Sequence, residues 1–103
     1  MPYNDLTTFL LHQVRQKPEL FLLDKKLGSL RKFVTGYLFA LNANFPEKKD
    51  RFLDMFSDWF FKATNNEQMW YAAILEECNF NEEKALDKFW QYLDDFDMET
   101  KGD

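Results

Sequence analysis

The stretch Lys17-Pro-Glu-Leu-Phe-Leu-Leu-Asp-Lys-Lys-Leu-Gly-Ser-Leu-Arg-Lys-Phe-Val-Thr-Gly-Tyr37 decides how the chain is read. Pro18 ends whatever helix precedes it, because the residue before a proline is pushed away from helical geometry. Glu19 to Asp24 is then a short irregular or one-turn segment, pinned by the cluster Leu20, Phe21, Leu22 and Leu23. From Leu27 onward Leu30, Phe33, Val34, Tyr37, Leu38 and Leu41 recur at three-and-four spacing, the signature of one apolar helix face. Gly36 interrupts that helix at a cost of about 1 kcal/mol relative to alanine. Close approach of a neighbouring backbone would explain its use.

The same periodicity extends in both directions. Asp5 is a suitable N-cap for a helix reaching Gln16, with Leu6, Phe9, Leu10 and Val14 inward. After a turn at Asn42–Asn44, Pro46 suits the first position of a helix running to Ala63, its core face Phe52, Met55, Phe56, Trp59 and Phe60. A fourth helix covers Glu67 to Cys78 and uses Trp70, Ala73 and Ile74. Phe80 and Asn81 have the pattern of a hydrophobic staple and N-cap, with Phe80 closing on Ala85. The last helix carries Leu86, Phe89, Leu93 and Phe96, and a polar, acidic tail is expected over 97–103. The expectation is an all-α, single-domain bundle of about five helices with an ordered core over 5–96.

Composition supports that class. The 103 residues fit one domain. Twelve Phe, four Tyr and three Trp supply a core, while three Gly and three Pro are too few for the turns of an all-β fold. A single cysteine, Cys78, excludes an internal disulfide and fits a reducing compartment. The start MPYNDLTTF lacks the basic and apolar regions of a signal peptide, and no apolar run approaches the ~18 residues of a membrane span. A cytoplasmic location without membrane association is therefore expected.

Little in the chain can do chemistry. His12 is the only histidine and has no ligand at metal spacing. Cys78 has no nucleophile signature around it, and Gly28 and Gly36 match no phosphate-binding loop. The carboxylate pairs Glu76–Glu77, Glu82–Glu83 and Asp94–Asp95 read as solvated faces, since a hydrolase pair needs a cleft between its members. No enzyme, cofactor or metal is expected. Charge is more informative. Residues 1–42 carry six basic and three acidic side chains, a net +3, whereas residues 43–103 carry seven and fifteen, a net −8. That half disfavours nucleic acid and favours a basic protein. Glu47, Asp50, Asp54 and Asp58 follow at three, four and four, an acidic ridge on one helix face. They could equally form four-apart ion pairs, Glu47 with Arg51 and Asp58 with Lys62. Phe61 points away from Phe60, and an exposed aromatic beside an acidic ridge is suitable anatomy for a basic partner.

Lys17, Pro18, Leu20 and Phe21, followed by Ser29, Leu30, Phe33, Val34, Gly36 and Tyr37, resemble a family of small bacterial immunity proteins. These accompany polymorphic and contact-dependent growth-inhibition toxins. The likeness continues through Phe56, Trp59 and Trp70 to Ala85, Leu86, Phe89, Leu93 and Phe96, about residues 5–96. Members often carry a glycine after the proline-led anchor, where this chain has Leu22–Leu23. The resemblance implies an all-helical cytosolic antidote that binds a cognate toxin stoichiometrically, commonly a nuclease with a basic cleft. The motif residues are scaffold. The residues expected to meet the toxin are Asp50, Asp54, Asp58, Glu76 and Glu77, with Trp59 or Tyr71 as apolar anchors. The competing reading is a non-enzymatic adaptor for a basic peptide or helix. Oligomeric state is open.

Overall fold

Six helices satisfy the apolar pattern in the computed structural model, which describes residues 5–48 and 50–101. Helix α1 (Asp5–Phe9) continues as a π-helical stretch over Leu10–Val14; α2 is Pro18–Phe21 and α3 is Leu27–Asn44. A 3-10 turn, Pro46–Lys48, precedes α4 (Phe52–Thr64), α5 (Trp70–Glu77) and α6 (Glu82–Lys101). No strand occurs among the described residues. The all-α class is as expected. The sixth helix is the single turn α2, which Pro18 opens at its first position and which closes through the Leu22 N–H donating to Pro18 O at 2.7 Å.

Helix α6 is the spine, packing against α3, α4, α5 and the π-helical stretch. Leu86, Phe89, Leu93 and Phe96 are buried along it, opposite Leu27, Leu30, Val34 and Leu38 of α3 and Phe52, Phe56 and Phe60 of α4. Phe56 is the centre of the aromatic core. Its ring centroid lies 5.4–5.7 Å from those of Phe96, Phe89, Trp70 and Trp59, mostly in edge or tilted arrangements. A second cluster joins α1, α2 and α3: Phe9 sits 5.3 Å edge-on to Phe21 and stacks near Phe33 and Tyr37.

Several local expectations are corrected. Gly36 faces solvent, and a Cβ placed on it would meet nothing within 4 Å, so no neighbouring backbone approaches it. Of the Leu20–Leu23 cluster only Leu22 is buried; Phe21 is half-buried, and Leu20 and Leu23 are exposed. A four-residue turn can direct only some of its side chains inward. Met55 is exposed as well, because it lies about 100° around α4 from Phe56.

Pro46 opens only the 3-10 turn, and α4 begins at Phe52. The reason is Asp50, whose carboxylate accepts the Phe52 N–H at 2.8 Å and fixes that start. Phe80 is 70 % exposed and does not close over Ala85 as a staple. Asn79 and Phe80 are both left-handed (φ 54° and 62°) and end α5 in a Schellman arrangement. In it the Phe80 N–H donates to Leu75 O and the Asn79 N–H to Glu76 O. Asn81 does cap α6, accepting the Lys84 N–H at 3.0 Å. That helix runs to Lys101, so 97–101 continue it where a polar tail was expected; residues 102 and 103 lie outside the described residues, as does the side chain of Asp5.

Candidate functional site

The acidic residues of the second half are divided by the fold into a surface and a structural fastening. Helix α4 is the first positioning element. At about 100° per residue, Asp54, Asp58 and Phe61 fall opposite the buried line Phe52, Phe56 and Phe60. Both aspartates are exposed, and Phe61 is 44 % exposed beside them. Asp58 pairs with Lys62 at 3.1 Å, the four-apart pair expected from the sequence. Arg51 pairs with Asp54 at 4.0 Å. Such exposed pairs contribute about 0.2–1 kcal/mol each and leave the carboxylates accessible to a competing cation.

Trp59 leads from this face to α6. It is half-buried, with its ring 5.8 Å from Phe96 and 6.5 Å from Tyr92, and its indole N–H donates to Glu99 Oε1 at 3.1 Å. Tyr92 carries the surface on to α5. Its ring lies 5.1 Å from Phe60, and its hydroxyl donates to Glu77 Oε1 at 2.7 Å. Lys88 Nζ reaches the other oxygen of Glu77 at 3.4 Å and lies 5.4 Å from the Tyr92 ring centre. Glu76 accepts a hydrogen bond from Gln68 Nε2 at 3.2 Å. Phe60, Thr64, Asn66, Ala73, Glu76, Glu77 and Tyr92 frame a groove of about 280 Å³ between α4, α5 and α6. It has an aromatic floor and an acidic rim.

Burial, followed by the hydrogen bond to Glu77, pushes the Tyr92 hydroxyl up to about 12. The neighbouring half-buried Cys78 thiol is also raised, first by burial and then by the Glu77 charge. A raised thiol pKa disfavours the thiolate that nucleophilic or redox chemistry requires. Among the described residues, no group of three or more His, Cys, Asp or Glu side chains is placed to hold a metal ion.

Asp54, Asp58, Trp59, Glu76 and Glu77 thus lie along α4 and the α4–α5–α6 groove. Two expected residues do not. Asp50 is 5 % exposed, and its two oxygens accept the backbone N–H groups of Leu6 (3.2 Å) and Phe52 (2.8 Å). Its own N–H donates to Asn42 Oδ1 at 3.3 Å. This carboxylate fastens helices from inside the fold rather than standing on the outer surface. Glu47 lies in the 3-10 turn and Asp50 in the segment before α4, so the four-residue ridge on α4 is reduced to Asp54 and Asp58.

Tyr71 turns toward α3. The Arg31 guanidinium lies 4.9 Å from its ring centre, and its hydroxyl adjoins Gly28. There the Gly28 N–H donates to Glu82 Oε1 at 2.9 Å, joining the starts of α3 and α6.

Tyr92 and Glu99 complete the surface without having been singled out in the sequence. Tyr92 stands three and four residues from Phe89 and Phe96, at the edge of the α6 stripe, so its spacing carried a usable signal. Glu99 carried none, because its role depends on where Trp59 arrives in space. No helix among the described residues is long and apolar enough to cross a membrane. Comparisons with family models, curated proteins and solved structures found no match.

Proposed function

We propose that this protein is a non-enzymatic cytoplasmic antidote of the bacterial immunity class. It neutralises a cognate toxin domain, a nuclease with a basic substrate cleft, by stoichiometric binding. The observation that supports this most is Phe61, 44 % exposed on α4 beside Asp54 and Asp58. An aromatic in that position supplies apolar area, and the carboxylates around it steer a basic partner and fix its orientation. Trp59, Tyr92, Glu76 and Glu77 form a second aromatic and acidic patch where α4, α5 and α6 meet, so the contact need not rest on one helix.

The resemblance spread over residues 5–96 names the class of partner. The net −8 of residues 43–103 agrees with its charge. Binding opposite a basic cleft would exclude nucleic acid either by covering the cleft or by occupying its margin. No chemistry by the antidote is needed.

Co-expression with a toxin domain from a neighbouring gene tests the reading. Growth should be rescued, and the two chains should co-purify in a one-to-one complex. Continued toxicity with no complex formed would contradict it. The groove between α4, α5 and α6 supports a second reading, an adaptor that takes a basic peptide. Its volume of about 280 Å³ suits one Lys or Arg side chain between Glu76, Glu77 and the Tyr92 ring. Binding of short basic peptides without any toxin would favour that alternative.

A further inference from the structure

A cleft of about 360 Å³ is lined by α6, by Pro18 at the start of α2 and by Lys25 in the loop that follows α2. It shares no residue with the acidic groove. Its volume is at the small end of the roughly 300–1,000 Å³ typical of small-molecule sites. Asp87, Trp90 and Asp94 follow at three and four along α6, so they share one face of that helix. Arg15 also lines the cleft, and its Nη1 donates to Asp94 Oδ1 at 2.7 Å. Pro18, Leu86 and the Trp90 ring supply apolar wall.

Three polar groups of this lining are unmatched. Lys25 and Asp87 are exposed, and neither forms an ion pair among the described residues. Trp90 is 7 % exposed, yet its indole N–H has no acceptor among them, unlike that of Trp59, which donates to Glu99. The Trp90 donor is not sealed in the core either, since Thr7 Oγ1 is the enclosed side-chain atom that lacks a partner. A donor on a buried side chain is costly to leave unpaired, so solvent or a ligand must meet it.

We infer that the cleft binds a free α-amino acid with an apolar side chain. Arg15 and Asp94 neutralise each other, and the charges of Lys25 and Asp87 cancel, so the lining carries both signs and no net charge. A simple carboxylate would leave Asp87 unmatched, and a simple amine would leave Lys25 unmatched. A zwitterion satisfies both. Its carboxylate meets Lys25 and the Trp90 N–H, its ammonium meets Asp87, and its side chain covers Pro18, Leu86 and the indole. The inference is independent of the toxin reading, because none of these residues belongs to the acidic surface.

Heteronuclear NMR of the full chain tests it through the indole N–H resonances of its three Trp. Trp90→Phe assigns the one that matters. Leucine or phenylalanine should move that resonance saturably, with a Kd at or below about 1 mM, and leave the Trp59 resonance in place. Isocaproate, which lacks the amine of leucine, and isoamylamine, which lacks its carboxylate, should each bind at least about tenfold more weakly. Lys25→Met and Asp87→Asn alter exposed positions, so each should keep the helical circular dichroism spectrum and weaken leucine binding by a similar factor. A Trp90 resonance that neither amino acid moves at about 10 mM would overturn the inference. So would isocaproate or isoamylamine binding as well as leucine, or binding indifferent to both substitutions.

Discussion

At Asp50 a single carboxylate serves two helices, accepting the Leu6 N–H at the start of α1 and the Phe52 N–H at the start of α4. Helix starts leave backbone donors without intrahelical partners, and burying them unpaired is costly. Asp50→Ala is therefore expected to destabilise the fold by about 2–3 kcal/mol, read as a lower urea midpoint. Asp50→Asn should lose less, because its amide oxygen can still accept one of the two bonds. Reversing Asp50 to Lys would test folding and say nothing about a partner.

Tyr92 gives a second measurement at this scale. Its pKa is raised from 10.0 to about 12, so the folded state holds its proton more tightly than the unfolded state does. The associated stability is fully present below pH 10 and is lost as pH rises through 12. Tyr92→Phe should remove its share of the alkaline decline across that window, followed by urea titrations at several pH values. An unchanged decline would mean that Tyr92 titrates normally.

Among the elements, the interiors of the helices were legible and their ends were less so. Leu27, Leu30, Val34 and Leu38, and likewise Leu86, Phe89, Leu93 and Phe96, are buried as their spacing requires. Periodicity records which face meets the core, and it does so within a few consecutive turns. The start of α4 could not be placed that way, because Asp50 also joins Leu6, 44 residues earlier in the chain. Glu82 likewise reaches Gly28 across 54 residues. The staple expected at Phe80 failed for a local reason: the Schellman end of α5 turns the backbone left-handed and leaves the ring outside. A left-handed phenylalanine is strained, whereas glycine adopts that conformation freely. Phe80→Gly should thus stabilise the protein by about 0.5–1 kcal/mol, measured by thermal or urea unfolding. A loss of stability would show that the ring packs more than its exposure indicates.

For the whole molecule, the division of charge is the property that bears on function. The acidic second half was visible as a composition, and its strongest single pattern, Glu47–Asp50–Asp54–Asp58, suggested one ridge. Folding keeps Asp54 and Asp58 on the outer face of α4, withdraws Asp50 and turns Tyr71 toward Arg31. Part of the candidate surface was therefore legible, namely the residues whose exposure follows from helical spacing alone. The rest depends on long-range contacts: Trp59 meeting Glu99, and Tyr92 meeting Glu77. The most direct measurement is the association rate of the purified chain with a toxin domain of the proposed class from a neighbouring gene, followed across ionic strength for wild type and Asp54→Lys/Asp58→Lys. The rate should fall with added salt, and the variant should be at least about tenfold slower at low salt with a flatter salt dependence. No association, or equal rates and salt slopes for the two proteins, would contradict it.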